Sequence, residues 1–139
     1  MAATLEKMKG VERYAVASRN QEKAEAFANK WGFTKAYGSY EELASDPEVD
    51  LIYIATPHAM HYDNAHMCIE KGKPVLCEKA FTANARQAED LLAFAKEKGV
   101  FITEAIWTRY MPLSLKIQEL LKEGVIGTPY TLSLTSAIR

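Results

Sequence analysis

Polar residues lie at the ends of two apolar segments, residues 50–57 and 74–79, that predict buried β-strands. The residues at these ends that could bind a ligand or take part in chemistry are Thr56, Pro57, His58, Glu78 and Lys79. A predicted helix over residues 60–71 connects the two segments, so the three elements form a right-handed βαβ unit with parallel strands. Ligands of open α/β sheets bind at the carboxyl ends of the strands. The sequence therefore predicts a ligand site at these two strand ends.

Histidines in the same region raise the question of a metal site. His58 and His61 are three positions apart and share a helical face, a spacing that can bind zinc. His66 lies five positions beyond His61 and off that face, and no carboxylate completes a ligand set. We therefore expect no metal in this region.

Strands and helices alternate along the chain, a pattern typical of a doubly wound parallel sheet. Strands are also predicted over residues 13–17, 35–37 and 100–105, and helices over residues 2–9, 22–31, 39–46, 84–98 and 113–123. The 39–46 helix is expected to begin with a capping box at Ser39, and the 22–31 helix to end at Gly32. The side chains of the 84–98 helix that are expected to face the sheet are Ala88, Leu91, Leu92 and Ala95. Alternation over residues 130–134 predicts an antiparallel strand that opens a different domain. The predicted fold class is α/β, with a Rossmann-like parallel sheet.

A dinucleotide-binding sheet begins with a strand and a G-x-G-x-x-G turn, and this sequence contains no such turn. The missing strand would be the central one, between residues 13–17 and 51–55. We therefore expect a sheet without its first strand, whose two free edges lie roughly 9–10 Å apart and invite pairing or aggregation. The isolated chain is expected to be inactive.

Composition describes an ordinary globular domain and excludes several classes of partner. The 139 residues are 48% hydrophobic and 25% charged, with a formal net charge of −1. Such a balance gives no net field for nucleic acid or an anionic membrane. No stretch approaches the roughly 20 apolar residues of a membrane span, and charged residues stand where a signal peptide would be apolar, so a cytoplasmic location is expected. Cys68 and Cys77 are expected to be small buried side chains.

Three motifs resemble the glucose-fructose oxidoreductase and inositol dehydrogenase family (Gfo/Idh/MocA). They are Ala55-Thr-Pro-His-Ala-Met-His61, Glu78-Lys79 and the turn Ala17-Ser-Arg-Asn20. Residues 104–112, Glu-Ala-Ile-Trp-Thr-Arg-Tyr-Met-Pro, are most similar to its dihydrodiol dehydrogenase branch. The resemblance implies a partial Rossmann domain over residues 1–111. A linking helix and the first strand of a truncated substrate and dimerisation domain, with that strand at residues 129–138, would follow over residues 112–139.

The resemblance also implies an activity. Members of the family are NAD(P)-dependent dehydrogenases that move a hydride between the nicotinamide and a secondary hydroxyl of a sugar, polyol or cyclic diol, often as homo-oligomers. Lys79 would lie beside the nicotinamide and polarise the reacting oxygen, while Glu78 would orient the strand end and the cofactor ribose. Ala80 replaces the proline of the Glu-Lys-Pro motif, which could loosen the turn. The alternative for Glu78 and Lys79 is an exposed ion pair worth about 0–1 kcal/mol.

Other positions that match the family imply contacts with the cofactor, and they are Ser18, Arg19, Thr56, Pro57, His58, His61, Trp107 and Arg109. Arg19 stands where an NAD-specific site has a carboxylate, so it favours NADP over NAD by offering a guanidinium to the 2′-phosphate. The alternative is a helix N-cap at this turn, with Arg19 solvated. Trp107 and Arg109 could instead serve interdomain packing. For the whole chain, the alternative function is a non-catalytic truncated or cofactor-sensing α/β module.

Overall fold

Alternating strands and helices make up the computed structural model of the chain, which describes residues 1–131 and residue 133. The strands are β1 (Ala15–Ala17), β2 (Lys35–Tyr37), β3 (Ile52–Ile54), β4 (Val75–Cys77) and β5 (Ile102–Glu104). The helices are α1 (Ala2–Leu5), α2 (Gln21–Trp31), α3 (Tyr40–Ser45), α4 (His61–Glu70), α5 (Ala85–Lys98) and α6 (Pro112–Lys122). Short 3₁₀ turns span His58–Met60 and Trp107–Tyr110. None of the helices within these ranges is long and apolar enough to cross a membrane.

All strand pairs are parallel, but they belong to two separate sheets. One sheet pairs β1 with β2, and the other has the order β3-β4-β5. In the second sheet Ile54 lies opposite Cys77, which in turn lies opposite Glu104. Within the described residues no strand pairs with the free edge of β1 or of β3. The predicted α/β fold class with a parallel arrangement is confirmed.

The core lies on one face of the three-stranded sheet. Its buried residues are Ala44, Val49, Ile52, Ile54, Ala65, Cys68, Ile69, Val75, Cys77, Leu91 and Ala95. Apart from Val49, which lies between α3 and β3, they come from every second position of β3 and β4 and from the inner faces of α3, α4 and α5. This agrees with the side-chain periods of 2.0 residues in a strand and 3.6 in a helix. Both cysteines are buried as expected, and burial raises the pKa of the Cys68 thiol to about 12 and that of Cys77 to about 11.

Side-chain caps fix the beginnings of three helices. Asn20 accepts a hydrogen bond from the backbone N–H of Lys23 at 2.9 Å, and Asn84 caps α5 in the same way. The predicted cap at Ser39 is confirmed, because its hydroxyl accepts from the N–H of Glu42 at 3.1 Å. Helix α2 ends at Gly32, whose left-handed φ of 67° suits glycine.

The structure corrects several expectations about detail. Leu92 was expected to face the sheet but is 51% exposed, because neighbouring helical positions are about 100° apart and Leu91 already occupies the buried stripe. Apart from β2, whose bounds agree with the prediction, the strands are shorter than the segments that predicted them, and α1 is a single turn. The predicted strand over residues 129–138 falls mainly on Leu132 and residues 134–139, which lie outside the described residues.

The chain divides into two units, Met1–Ala105 and Ile106–Arg139. In the second unit, Pro112 occupies the first turn of α6, a position where its missing N–H costs nothing. The apolar side chains of this helix are exposed, and they include Leu113, Leu115, Ile117, Leu120 and Leu121. The predicted domain boundary after residue 111 stays a prediction.

A cluster around Asp46 connects α3 to the two-stranded sheet. The Asp46 carboxylate accepts hydrogen bonds from the Tyr37 hydroxyl at 2.5 Å, the Lys35 ammonium at 2.9 Å and the Tyr14 hydroxyl at 3.0 Å. The backbone N–H of Glu48 donates to its other oxygen at 3.0 Å. The bonds from Tyr37 and Lys35 hold the pKa of Asp46 well below its usual range. A single carboxylate thus joins the residue before β1, two residues of β2 and the end of α3.

We expect Asp46→Asn to lower the urea midpoint of unfolding, because the amide cannot accept all four of these donors. Since the pKa is depressed in the folded chain, the stabilisation is complete above the unfolded pKa of about 3.9 and is lost as the pH falls through the folded pKa. The difference between variant and parent should therefore be constant near neutral pH and should shrink below about pH 4. The control is Glu41→Gln, which removes an exposed ion pair with Lys71. An Asp46 variant that is no less stable than this control would contradict the role of the cluster.

Candidate functional site

The predicted site residues of the first unit follow the carboxyl ends of three strands. Ser18 and Arg19 follow β1, Thr56 follows β3, and Glu78 and Lys79 follow β4. The N–H of Glu78 donates to the Ile54 carbonyl at 2.9 Å, which continues the ladder past the ends of β3 and β4. The loops after these two strands therefore begin side by side.

The end of β1 leaves the Arg19 side chain free. The N–H of Ser18 donates to the Tyr37 carbonyl at 3.1 Å, and its hydroxyl accepts from the N–H of Asn20 at 3.4 Å. Asn20, rather than Arg19 or Ser18, caps α2. The Arg19 guanidinium is exposed and forms no ion pair within residues 1–131 and 133. Because Arg19 directly precedes the N-cap Asn20, it lies beside the amino terminus of an 11-residue helix, where an anion is favoured.

The end of β3 is held by two side chains of α4. The Thr56 hydroxyl accepts a hydrogen bond from the Asn64 amide at 3.0 Å, and the Thr56 carbonyl lies 2.8 Å from His61 Nε2. Pro57 and His58 are exposed in the turn that leads into α4. The rings of His58 and His61 meet edge to face, with their centroids 5.4 Å apart. Pro57 and His58 therefore present exposed surface at this strand end, and Thr56 is half-buried.

His61 occupies a different place from the one that its motif predicts. Its side chain is fully buried, and its two ring nitrogens lie 2.8 Å from the carbonyl oxygens of Thr56 and Ala80. A ring with no exposed surface cannot contact a cofactor directly. His61 instead connects the loop after β3 with the loop after β4.

Glu78 is fixed by a tyrosine of the neighbouring strand. The Tyr53 hydroxyl donates to Glu78 Oε1, and the N–H of Lys79 donates to Oε2 at 3.2 Å. The bond from Tyr53 is the main cause that lowers the pKa of Glu78, whereas burial and the same bond raise the pKa of Tyr53. Glu78 is therefore an ionised, oriented carboxylate at neutral pH.

Lys79 has an exposed side chain that is not paired with its neighbour. The described residues show no ion pair between Glu78 and the Lys79 ammonium, so the alternative of a surface ion pair is not what the structure shows. The Lys79–Ala80 peptide bond is cis. The next backbone N–H, that of Phe81, donates to Glu104 Oε1 at 2.9 Å. The loop is thus anchored while the ammonium group remains available.

Three supporting residues were not predicted from the sequence, and they are Tyr53, Asn64 and Glu104. A signal existed for two of them. Tyr53 carries the one polar group inside the apolar segment of β3, and Glu104 ends its strand much as Glu78 follows β4. Nothing in the spacing alone indicated which partners they would have.

Trp107 and Arg109 belong to the second unit, where they lie in the 3₁₀ turn Trp107–Tyr110. Both side chains are exposed, with 65% of Trp107 accessible. That these two residues contact the cofactor stays a prediction. Across the described residues, no group of three or more His, Cys, Asp or Glu side chains could hold a metal ion.

Comparison with known families identifies the fold and its relatives. Residues 1–105 match the GFO_IDH_MocA model, described as an oxidoreductase family with an NAD-binding Rossmann fold. The chain belongs to this family. It is 56% identical over 96 residues to a D-xylose 1-dehydrogenase (NADP⁺) of Hypocrea jecorina, covering 69% of this chain and 25% of that protein. It is 48% identical over 113 residues to the mouse trans-1,2-dihydrobenzene-1,2-diol dehydrogenase, covering 81% and 34%.

Solved structures of oxidoreductases are similar in fold to this chain. An NAD-binding oxidoreductase of Klebsiella pneumoniae superposes with a TM-score of 0.78 at 38% identity, covering 82% of this chain and 30% of that one. A 3-ketoreductase of Actinomadura kijaniata, solved with NADP and TDP-benzene, gives a TM-score of 0.81 at 31% identity, covering 89% and 38%. The match spans 25% of the length of the xylose dehydrogenase and 34% of the length of the dihydrodiol dehydrogenase.

Removing the Tyr53 hydroxyl should release the Glu78 carboxylate. We expect Tyr53→Phe to raise the pKa of Glu78 towards its ordinary range, because the first cause of the lowered value is lost. The measurement is a ¹³C NMR titration of the Glu78 carboxyl carbon. Tyr62→Phe, which removes a similar bond to Asp90, is the control and should leave the Glu78 titration unchanged. An unshifted Glu78 titration in Tyr53→Phe would show that the hydrogen bond does not hold the carboxylate.

Proposed function

We propose that this chain forms the NADP(H)-facing part of a dehydrogenase site. The reaction is hydride transfer between NADP(H) and a secondary alcohol or carbonyl of a sugar, polyol or cyclic diol. The names of the relatives support this class, since they include an NADP⁺-dependent xylose dehydrogenase, dihydrodiol dehydrogenases and a 3-ketoreductase solved with NADP. A homo-oligomeric assembly and a cytoplasmic location stay predictions from the sequence.

One observation supports the proposal most directly. At the strand ends, one charged side chain is hydrogen-bonded within the chain, whereas two others are exposed and unpaired in the described part. Glu78 is anchored inside the chain, whereas the Arg19 and Lys79 cations are exposed and form no ion pair in the described part. Two free cations at the carboxyl ends of parallel strands suit a ligand that carries phosphate at one end and a reacting oxygen at the other.

The residues present at the end of β1 fit NADP. Ser18, Arg19 and Asn20 offer hydroxyl, guanidinium and amide groups, and residues 18–21 contain no carboxylate that would repel a 2′-phosphate. Arg19 would grip that phosphate and can stack on the adenine. Thr56, Pro57 and His58 would line the ribose and pyrophosphate, while Glu78 would orient the nicotinamide ribose.

NADP(H), when bound, supplies the hydride chemistry. The residues of this chain would align the substrate with the cofactor and supply a positive charge near the reacting oxygen. The Lys79 ammonium would lie against the oxygen of the substrate, where it stabilises the negative charge that develops on an alkoxide or a polarised carbonyl. Glu78 acts on this arrangement through the backbone N–H of Lys79, which it holds in place.

The test of the cofactor proposal is a comparison of NADPH with NADH, followed by the enhancement of reduced nicotinamide fluorescence on binding. We expect tighter binding of NADPH, and Arg19→Ala should reduce the preference by about 10- to 100-fold, the worth of a charge-assisted hydrogen bond. Lys96→Ala, which removes an equal charge from the last turn of α5, should leave the preference unchanged. Equal affinity of the parent chain for both cofactors, or no binding of either, would overturn the proposal.

The position of Lys79 can be tested by chemical protection. If its amine lies beside the nicotinamide, NADP⁺ should slow acetylation of Lys79 by about tenfold or more at saturation. The analogue 2′,5′-ADP has the phosphates but no nicotinamide, so it should occupy the Arg19 end and leave Lys79 reactive. Mass spectrometry of the labelled peptides gives both rates, with exposed Lys96 as the internal control. Equal protection by the two ligands, or none by NADP⁺, would place the nicotinamide elsewhere.

A further inference from the structure

His61 is a buried polar residue whose bonds the proposed chemistry does not use. Its exposed fraction is 0%, and both of its ring nitrogens face backbone carbonyl oxygens at 2.8 Å. The two oxygens belong to Thr56 and Ala80, which are 24 positions apart and follow neighbouring strands. The ring therefore lies between two loops of the site and contacts both of them.

The location of the protons on the imidazole ring decides which of these two contacts is a hydrogen bond. A carbonyl oxygen can only accept, so each contact is a hydrogen bond only when the ring nitrogen that faces it carries a proton. The contact with Ala80 involves Nδ1, and the contact with Thr56 involves Nε2. A proton on Nδ1 is thus required for His61 to hold the loop after β4.

That loop contains Lys79, and its backbone is held on both sides. On one side Glu78 Oε2 accepts from the N–H of Lys79 at 3.2 Å. On the other side His61 meets the carbonyl of Ala80, and Glu104 accepts from the N–H of Phe81 at 2.9 Å. These contacts restrain the backbone and leave the ammonium group of Lys79 exposed.

We propose that His61 is a positioning residue for Lys79, which it holds by donating from Nδ1 to the Ala80 carbonyl. The inference rests on the proposed function of Lys79, but it replaces the direct cofactor contact that the motif predicts for His61. Because the ring has no surface for a ligand, its effect reaches the site only through the two loops that it contacts. Substitution of His61 should therefore change the local environment and the backbone order around Lys79 even when no cofactor is present.

The first test compares His61→Phe and His61→Gln in the whole chain without cofactor. Reductive methylation with ¹³C gives each lysine a separate NMR signal, and hydrogen exchange reports on the Phe81 amide. We expect the Lys79 signal to move and Phe81 exchange to rise by about fivefold or more in His61→Phe, the effect of one lost hydrogen bond. His61→Gln keeps one amide donor on a shorter side chain, so we expect it to restore part of the Phe81 protection.

The matched control is His66→Gln on the same helix. The His66 ring stacks on Phe94 with centroids 4.1 Å apart, so this change removes a packed histidine without touching the loop. We expect Lys79 and Phe81 to be unaffected by it, and Lys96 to be unaffected by every variant. A folded His61→Phe in which the Lys79 signal and the Phe81 exchange match the parent would overturn the proposal, as would equal effects of His66→Gln.

A second measurement keeps the inference testable if His61→Phe does not fold. In the parent chain labelled with ¹⁵N-histidine and ¹³C, a coupling across the hydrogen bond should join His61 Nδ1 to the Ala80 carbonyl carbon. Absence of that coupling, or an Nδ1 without a proton, would overturn the proposal. All these readouts are independent of NADPH, so a chain that fails to bind cofactor would refute the proposed function and leave the result for His61 standing.

Discussion

The parallel register of β3, β4 and β5 is the constraint on which the rest of the site depends. Ile54, Cys77 and Glu104 lie side by side, so the loops that follow these strands start at one edge. The register is specified by burial, since Ile54 and Cys77 face the core. A slip of one residue would turn these side chains to the other face of the sheet. The same slip would take Glu78 away from Tyr53. The register that packs the core therefore also sets the geometry of the site.

Groups at this edge fall into two kinds that differ in their partners. The polar groups of Tyr53, Glu78 and His61 contact partners inside the chain, and His61 is fully buried. Arg19 and Lys79 are exposed. The first kind fixes backbone positions before any ligand arrives, which reduces the ordering that binding must pay for. The second kind keeps its charge in water until a partner of opposite charge replaces that water.

The sequence predicts local features well because they depend on neighbours in the chain. The strand over residues 35–37 and the caps at Ser39 and Gly32 follow from side-chain and backbone rules that act over a few positions. The bond between Tyr53 and Glu78 spans 25 positions and exists only once the register is known. Periodicity likewise could not separate Leu91 from Leu92, because both are apolar and packing alone decides which is buried.

His61 shows how a motif can single out a residue without indicating its partners in the fold. A histidine just after a strand end, in a region that binds ligands, is the kind of side chain that contacts a cofactor. Its actual environment depends on the Ala80 carbonyl, which lies 19 positions away in the chain. Local spacing carries no information about that oxygen. The burial of the ring therefore had to come from the fold.

The two-sheet arrangement would give a bound ligand a structural role as well as a chemical one. Arg19 follows a strand of one sheet and Lys79 a strand of the other, and the described residues contain no ladder between these sheets. Their connection depends instead on packing, in which Ala15 of β1 and the preceding Tyr14 contact the core cluster. A dinucleotide that engages both cations would add a link where strand hydrogen bonds are missing. Because it binds only when both ends are correctly placed, its binding free energy would also stabilise that placement.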